Sequence, residues 1–147
     1  MLVENHIKIN LLLGILLLFF IKPIYVIIIF LSSILIDLDH YFYYIFEKKR
    51  FSLKSAYHWY LIERERFHKL SREEKKKHRY FIFIFHGLEP LIIIFLLSNY
   101  YLILLFIFIG FIMHLAEDLV IASKFKYIER KMFLSYAIYL HIKNKVK

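Results

Sequence analysis

Two acids and a histidine interrupt a long apolar run near the start of this chain. Asp37, Asp39 and His40 lie among Ile, Leu, Phe and Tyr residues between Ile24 and Phe46. An Asp near the middle of a membrane helix costs roughly 2.5 to 3.5 kcal/mol, whereas each Leu or Ile favours insertion by only about 0.3 to 0.6 kcal/mol. These carboxylates need compensation, and a metal ion shared with other side chains would supply it.

Two later groups contain the same residue types. His86 is followed three positions later by Glu89, and His114 is followed four positions later by Asp118. Residues at these spacings share one face of a helix, so each pair is predicted to point in one direction. The metal ligands predicted from the residues are Asp37, His40, His86, Glu89, His114 and Asp118.

Asp39 does not fit this simple geometry. On a regular helix it lies about 200° from Asp37. Either the helix is distorted there, or Asp39 holds the second ring nitrogen of a ligating histidine, as carboxylates around metal sites commonly do. Glu117, next to Asp118, is a second candidate for such a role. We expect Asp39 or Glu117 to orient ligands or to act as a catalytic base.

The chemistry that these residues predict is metal-dependent hydrolysis. The chain has no cysteine, so a metal would have nitrogen and oxygen ligands. Five unpaired acids at membrane depth would cost on the order of 15 kcal/mol, most of which two divalent ions would neutralise. Mixed His and carboxylate ligands favour Zn, with Mn and Fe(II) as alternatives. One or two such ions would generate hydroxide near neutral pH and polarise a phosphoryl or carbonyl oxygen.

The composition indicates that membrane helices position this site. Of the 147 residues, 61% are hydrophobic and 20% aromatic, and the mean hydropathy is +0.57. These values predict an all-α integral membrane bundle with one domain over residues 1–147. We predict four spans, a basic connector and a basic amphipathic tail: residues 7–21, 24–46, 80–97 and 100–122, then 47–79, then 124–147.

Local patterns add detail to the connector and to the third span. Apolar residues recur at helical spacing from Leu53 to Phe67, which predicts an interfacial helix. Ser71 and Glu74 have the spacing of a capping box at the start of a second short helix. Pro90 cannot donate to the carbonyl of His86, so we expect the third helix to kink there.

The charges predict the orientation in the membrane. Lys and Arg total 21, of which 19 lie in the connector and the tail, and the turn at residues 98–99 has none. The positive-inside rule therefore places both termini in the cytoplasm. It also explains the net charge of +9 without a nucleic-acid partner. At about 1.5 Å per residue, all three polar groups fall in the cytoplasmic half of a cell or inner membrane.

The motifs resemble a known family. Leu35 to His40, Phe85 to Glu89 and Met113 to Asp118 are similar to motifs of the small membrane-bound metal-dependent hydrolases related to the YdjM family, which are grouped with zinc-dependent phospholipases C. The resemblance covers residues 24–122 and is nearest to archaeal-type variants. It implies a hydrolase, and it makes His6, which resembles the family's N-terminal histidine, another metal ligand.

The sequence also departs from that family. Ile36 stands where the family usually has proline before the first Asp. The paired histidines of an HRxxTHS segment are not reproduced, because His78 and Arg79 stand well before His86. The resemblance therefore implies the reaction class and leaves the substrate open.

Three functions are compatible with the sequence. The first is hydrolysis of phosphoesters at the cytoplasmic side of the membrane, with membrane lipid as partner and a phospholipid or lipid-linked phosphoester as substrate. The second is a cation or proton carrier that uses the intramembrane His, Asp and Glu residues. The third is a membrane scaffold with a structural metal.

Overall fold

The computed structural model describes residues 3–77, 83–125 and 133–145, and in these residues all regular secondary structure is helical. The prediction of an all-α protein is confirmed for this part of the chain. The helices are α1 (Val3–Leu17), α2 (Pro23–Leu35), α3 (Leu38–Lys48), α4 (Leu53–Lys69), α5 (Arg72–Lys77), α6 (Leu88–Ser98), α7 (Leu102–Lys124) and α8 (Leu134–Lys145).

Two helical stretches of the described residues are long and apolar enough to span a membrane. They are Pro23–Lys48, which contains α2 and α3, and Leu102–Lys124, which is α7. Helix α1 has 15 residues and α6 has 11, lengths of about 22 and 16 Å against a hydrocarbon thickness of about 30 Å. Of the four spans predicted from the sequence, two therefore correspond to helical stretches of membrane-spanning length in the described residues.

The predicted second span is divided by a turn. Helix α2 ends at Leu35, Ile36 and Asp37 form the turn, and α3 begins at Leu38. Proline at residue 23 occupies the first helical position of α2, where its missing N–H costs nothing. The turn changes the direction in which the following side chains point, and this decides the geometry of the site.

The third span is shorter than predicted, because α6 begins only at Leu88. His86 and Gly87 precede the helix, so the prediction that His86 and Glu89 share a helical face is wrong. The predicted kink is also wrong, since Pro90 lies in the first turn of α6, where no backbone N–H is needed. Residues 80–82, where the third span was predicted to begin, lie outside the described residues, as do His78 and Arg79.

Helices α2 and α7 form the centre of the packing, with α6 against α7 and α1 against α2. Gly110 allows the central pair to approach closely. A Cβ atom at this position would lie 2.1 Å from Ser32 Oγ and 2.4 Å from the Ile29 carbonyl oxygen. Residue 110 therefore lies where α2 and α7 approach too closely for a side chain.

The connector contains the two helices predicted for it. Ser52 caps α4 by accepting a hydrogen bond from the Ser55 N–H at 3.2 Å. The Ser71 N–H donates to the Glu74 carboxylate at 2.8 Å and the Glu74 N–H donates to Ser71 Oγ at 3.3 Å, which confirms the capping box. Of the predicted tail, α8 is described, whereas residues 126–132 and 146–147 lie outside the described residues.

Apolar side chains cover much of the surface, and several polar side chains are inside. Phe19 and Phe20 are 79% and 82% exposed. By contrast His6, Asn10 and His114 are at most 1% exposed. Such an apolar exterior is typical of a protein in contact with lipid.

Candidate metal centre

Four segments of the chain meet at one buried cluster. They are the first turns of α1, the junction of α2 and α3, the residues just before α6, and the second half of α7. They contribute the side chains of His6, Asp37, Asp39, His40, His86, His114, Glu117 and Asp118. All these residues were predicted site residues.

The turn at Ile36 and Asp37 explains how both acids of the first motif face the cluster. On a continuous helix Asp37 and Asp39 would point in nearly opposite directions. Asp37 instead occupies the position before α3, and its Oδ1 lies 3.4 Å from His86 Nε2 and 3.5 Å from His114 Nε2. Both alternatives stated from the sequence are observed, because the helix is distorted here and Asp39 also holds the Nδ1 of His86.

Three histidines are each held at Nδ1 by an acceptor. His114 Nδ1 donates to the Ser33 carbonyl oxygen at 2.7 Å, and His86 Nδ1 donates to Asp39 Oδ2 at 3.0 Å. His6 Nδ1 contacts Glu117 Oε2 at 2.5 Å. In a neutral imidazole a proton on Nδ1 leaves Nε2 as an acceptor or metal ligand. These contacts therefore aim the Nε2 lone pairs of all three rings.

The Nε2 atoms of His86 and His114 lie close to each other and to the carboxylates of Asp37 and Asp118. His86 Nε2 lies 3.2 Å from His114 Nε2 and 3.8 Å from Asp118 Oδ2, and His114 Nε2 lies 3.4 Å from the same oxygen. Asp37, His86 and His114 form a group whose ligand atoms are close enough to hold an ion. Tetrahedral Zn with bonds near 2.0 to 2.1 Å separates its ligand atoms by about 3.3 to 3.4 Å. Two lone pairs and two carboxylates that face one another at these distances require a proton or a cation between them.

A second group lies on the other side of the Asp118 carboxylate. Asp118 Oδ1 is 3.5 Å from His6 Nε2, and the His6 ring stacks on His114 with centroids 4.0 Å apart. Within the described residues, buried His6 Nε2, Glu117 Oε1 and the Asn10 amide atoms have no hydrogen-bond partner. Unsatisfied buried polar atoms of this kind indicate a missing ion or water. His6, His114 and Asp118 are indeed close enough to hold an ion.

Asp39 contacts two histidines at once. Its Oδ1 accepts from His40 Nδ1 at 2.8 Å while Oδ2 accepts from His86, and these three side chains form a third group able to hold an ion. The His40 ring stacks on Phe83 with centroids 3.9 Å apart. Both carboxylate oxygens of Asp39 are therefore engaged in positioning imidazole rings.

Glu89 is not brought to the cluster. Its carboxylate accepts hydrogen bonds from the backbone N–H groups of Leu134 and Ser135, each at 2.8 Å. Glu89 thereby satisfies donors at the start of α8, which are otherwise unpaired at a helix N-terminus. The cause is the late start of α6, because Glu89 lies on this helix and His86 lies before it.

Two contributors were missed by sequence reasoning. Ser33 acts through its backbone carbonyl, and Asn10 lies one helical turn after His6. The sequence contains an indication of each residue. Ser32 and Ser33 are a polar pair inside the otherwise apolar α2. Asn10 is likewise a polar residue at i+4 from a histidine, which places it on the same helical face.

The fold and the cluster together define an all-helical protein with an apolar exterior and buried His and Asp groups that could hold a metal ion. Comparisons of the chain with protein-family models, with curated proteins and with solved structures found no match. The resemblance to YdjM-related hydrolases therefore stays a prediction that rests on the quoted motifs.

Proposed function

We propose that this protein is a membrane-bound metal-dependent hydrolase that acts on phosphoesters at the cytoplasmic side of the membrane. The observation that supports this most directly is the spacing of His86 Nε2, His114 Nε2, Asp37 Oδ1 and Asp118 Oδ2. Two imidazoles with nearby carboxylates match the donor set of Zn, and the 3.2 to 3.5 Å spacings among Asp37, His86 and His114 suit ligands of one ion. The group around His6 and Asp118 offers a position for a second ion.

The residues around the proposed ligands would orient the histidines and transfer protons. When bound, a divalent ion polarises a phosphoryl or carbonyl oxygen and lowers the pKa of water. Asp39 orients His40 and His86, because both of its oxygens are engaged. Glu117 contacts His6 through one oxygen only, and we assign it the transfer of protons during hydrolysis.

An apolar groove supports an amphiphilic substrate. Asp37 and His40 are the most exposed ion-pairing members of the cluster, with side chains 16% and 12% accessible. They line a cavity of about 260 Å³ whose other walls come from α2, α3 and α4. These walls are Ile34, Leu35, Leu38, Tyr41, Leu53, Ala56, Tyr57 and Tyr60. A phospholipid or lipid-linked phosphoester would place its phosphate at the acids and its hydrocarbon chain along this groove.

We infer further that the chain passes the membrane four times, with both termini in the cytoplasm. The cluster lies at the starts of α1 and α6 and toward the ends of α2 and α7, which suits an up-and-down arrangement. Helix α6 alone is too short, so the non-helical residues 83–87 would complete its pass. Non-helical backbone at membrane depth is tolerated where it is buried in protein, and His86 and Gly87 are buried.

The test is elemental analysis of protein purified gently in detergent, combined with turnover of a panel of phosphoesters. We expect about one to two equivalents of divalent metal. This is the stoichiometry allowed by the group around His86 and His114 and the group around His6 and Asp118. The His86→Ala, His114→Ala double variant should lose both metal and turnover, because it removes two ligands. Glu89→Gln is the matched control and should keep its metal, since Glu89 contacts α8.

The other functions predict different results. Metal-free protein that remains folded, with an unaffected double variant, would contradict the proposal. Stable metal without turnover on the panel would favour a structural site. Ion flux in proteoliposomes would favour a carrier, although the far half of α7, from Leu102 to Ile109, is wholly apolar and offers no relay group.

A further inference from the structure

A second groove of the structure lies apart from the metal cluster, between the end of α3 and the first turns of α4. Its volume is about 760 Å³. Four basic side chains line it, and an aromatic pair lies beside them: Lys48, Arg50, Lys54 and His58, with Tyr44 and Trp59. No residue of the metal cluster lines this groove.

The electrostatics of this groove favour an anion. Lys48, Arg50 and Lys54 each contribute a positive charge, and no acidic residue is among the described residues that line it. Ser55 adds a hydroxyl group to the lining. Several cations around a concave surface raise the local concentration of an anionic ligand.

Two aromatic side chains, Tyr44 and Trp59, pack together in the lining of the groove. Tyr44 is buried, and its ring lies 5.7 Å from the ring of Trp59. Lys48 Nζ lies 5.5 Å from the centroid of Trp59, within the range of a cation–π contact. Trp59 is also the single tryptophan of the chain, so its fluorescence reports on this groove alone.

The position of the groove identifies the kind of anion. Lys48 is the last residue of the apolar stretch Pro23–Lys48, and Arg50 and Lys54 lie two and six positions after it. Tryptophan and tyrosine concentrate at the level of lipid headgroups, and basic residues just outside a span attract anionic lipid. The groove thus lies where the phosphate of a lipid headgroup would lie.

We propose that this groove binds the headgroup of an anionic phospholipid, with Lys48, Arg50 and Lys54 around the phosphate and Trp59 against the adjoining glycerol. The site is separate from the metal cluster and does not depend on the proposed hydrolase activity. Its ligand is a resident lipid of the membrane in which the protein sits.

The test follows Trp59 emission while phosphatidylglycerol is added to the full-length protein in zwitterionic detergent micelles. We expect a saturable change in emission with phosphatidylglycerol and none with phosphatidylcholine. Inorganic phosphate distinguishes the two possible sources of the anion. A saturating response to phosphate equal to that for phosphatidylglycerol would overturn the assignment to a lipid.

Charge-removing variants test the residues. Arg50→Gln and Lys54→Gln should each weaken the apparent affinity for phosphatidylglycerol by about fivefold, the effect expected for one basic residue near an anionic headgroup. Lys69→Gln removes the same charge from the end of α4, outside the groove, and should change the affinity little. Equal loss in all three variants, or no loss in the first two, would contradict the proposal.

Discussion

At the scale of single residues, each histidine of the cluster is positioned by a contact at Nδ1, the ring nitrogen that is not assigned to a metal. Asp39 holds two rings through separate oxygens, and the Ser33 carbonyl and Glu117 hold one each. Because carboxylates that hold a ligating histidine also raise its basicity, such contacts influence metal affinity as well as orientation. The sequence left open whether Asp39 faces the cluster, and the turn before α3 answers that question.

Asp39→Asn should therefore weaken metal binding without removing a member of the group formed by Asp37, His86 and His114. An asparagine side chain has one acceptor oxygen, so it cannot accept from both His40 and His86. We expect affinity to fall by about 10 to 100-fold, measured by chelator competition for Zn. Ser33→Ala is the control, because Ser33 contacts His114 through its backbone carbonyl. An unchanged affinity in Asp39→Asn would refute the orienting role.

At the scale of secondary structure, two interruptions of helices make the site. The turn at Ile36 and Asp37 and the start of α6 at Leu88 both lie beside the cluster. Hydrophobic length located α7 and the stretch of α2 and α3 well, because a long apolar run has few alternatives in a membrane. Hydrophobic length could not locate the two interruptions, because these depend on contacts with the neighbouring helices. Pro90 was the local signal for a helix start and was interpreted as a kink.

Helix packing at Gly110 provides a test of the central pair. Gly110→Ala should lower the free energy of unfolding by about 1 to 3 kcal/mol, because the new methyl group would meet the backbone of α2. Gly14→Ala is the matched control, since its nearest neighbour would be Val26 Cγ1 at an ordinary 3.4 Å. It should be neutral or slightly stabilising, because alanine favours helix. Reversible unfolding in detergent measures both, and an equal effect of the two changes would contradict the close packing of α2 and α7.

At the scale of the whole molecule, the connector is joined to the membrane helices at the end of α7. The His68 ring stacks on Phe125 with centroids 3.8 Å apart, and Lys75 Nζ donates to the carbonyl oxygens of both residues. Burial, with the charges of Arg64 and Lys75, lowers the pKa of His68 from 6.5 to about 4. This contact could not be predicted from the sequence, because it joins segments that are far apart in the chain.

The lowered pKa of His68 predicts a dependence of stability on pH. As the pH falls from 6.5 toward 4, the unfolded chain takes up a proton at His68 and the folded protein does not. The free energy of unfolding should therefore fall over this range. His68→Phe retains an aromatic ring but cannot be protonated. Between pH 7.5 and pH 5 the melting temperature of this variant should therefore fall less than that of the unchanged protein, and the difference should correspond to roughly one proton taken up on unfolding. Parallel losses in the two proteins would rule out His68 as a source of the pH dependence.

The sequence predicted most of the residues in the cluster and little of its geometry. His6 came from a family resemblance, and His86, His114, Asp37 and Asp118 came from the cost of polar groups at membrane depth. That cost depends only on residue type and local hydrophobicity, so it can be calculated from sequence. The position of Glu89 could not be predicted from sequence, because its partners at the start of α8 are 45 and 46 residues away.

The cluster also constrains the order in which the protein can become complete during synthesis. His6 and Glu117 are 111 positions apart in the chain, and they meet only after α7 has been made. Before that, Asp37 lacks His114, which is one of the three histidines that its carboxylate contacts in the folded protein. A chain that stops before His114 therefore leaves Asp37, at the centre of the apolar stretch Pro23–Lys48, without one of its partners. Such truncated products should be recognisable to membrane quality control as incompletely inserted, whereas the finished chain is not.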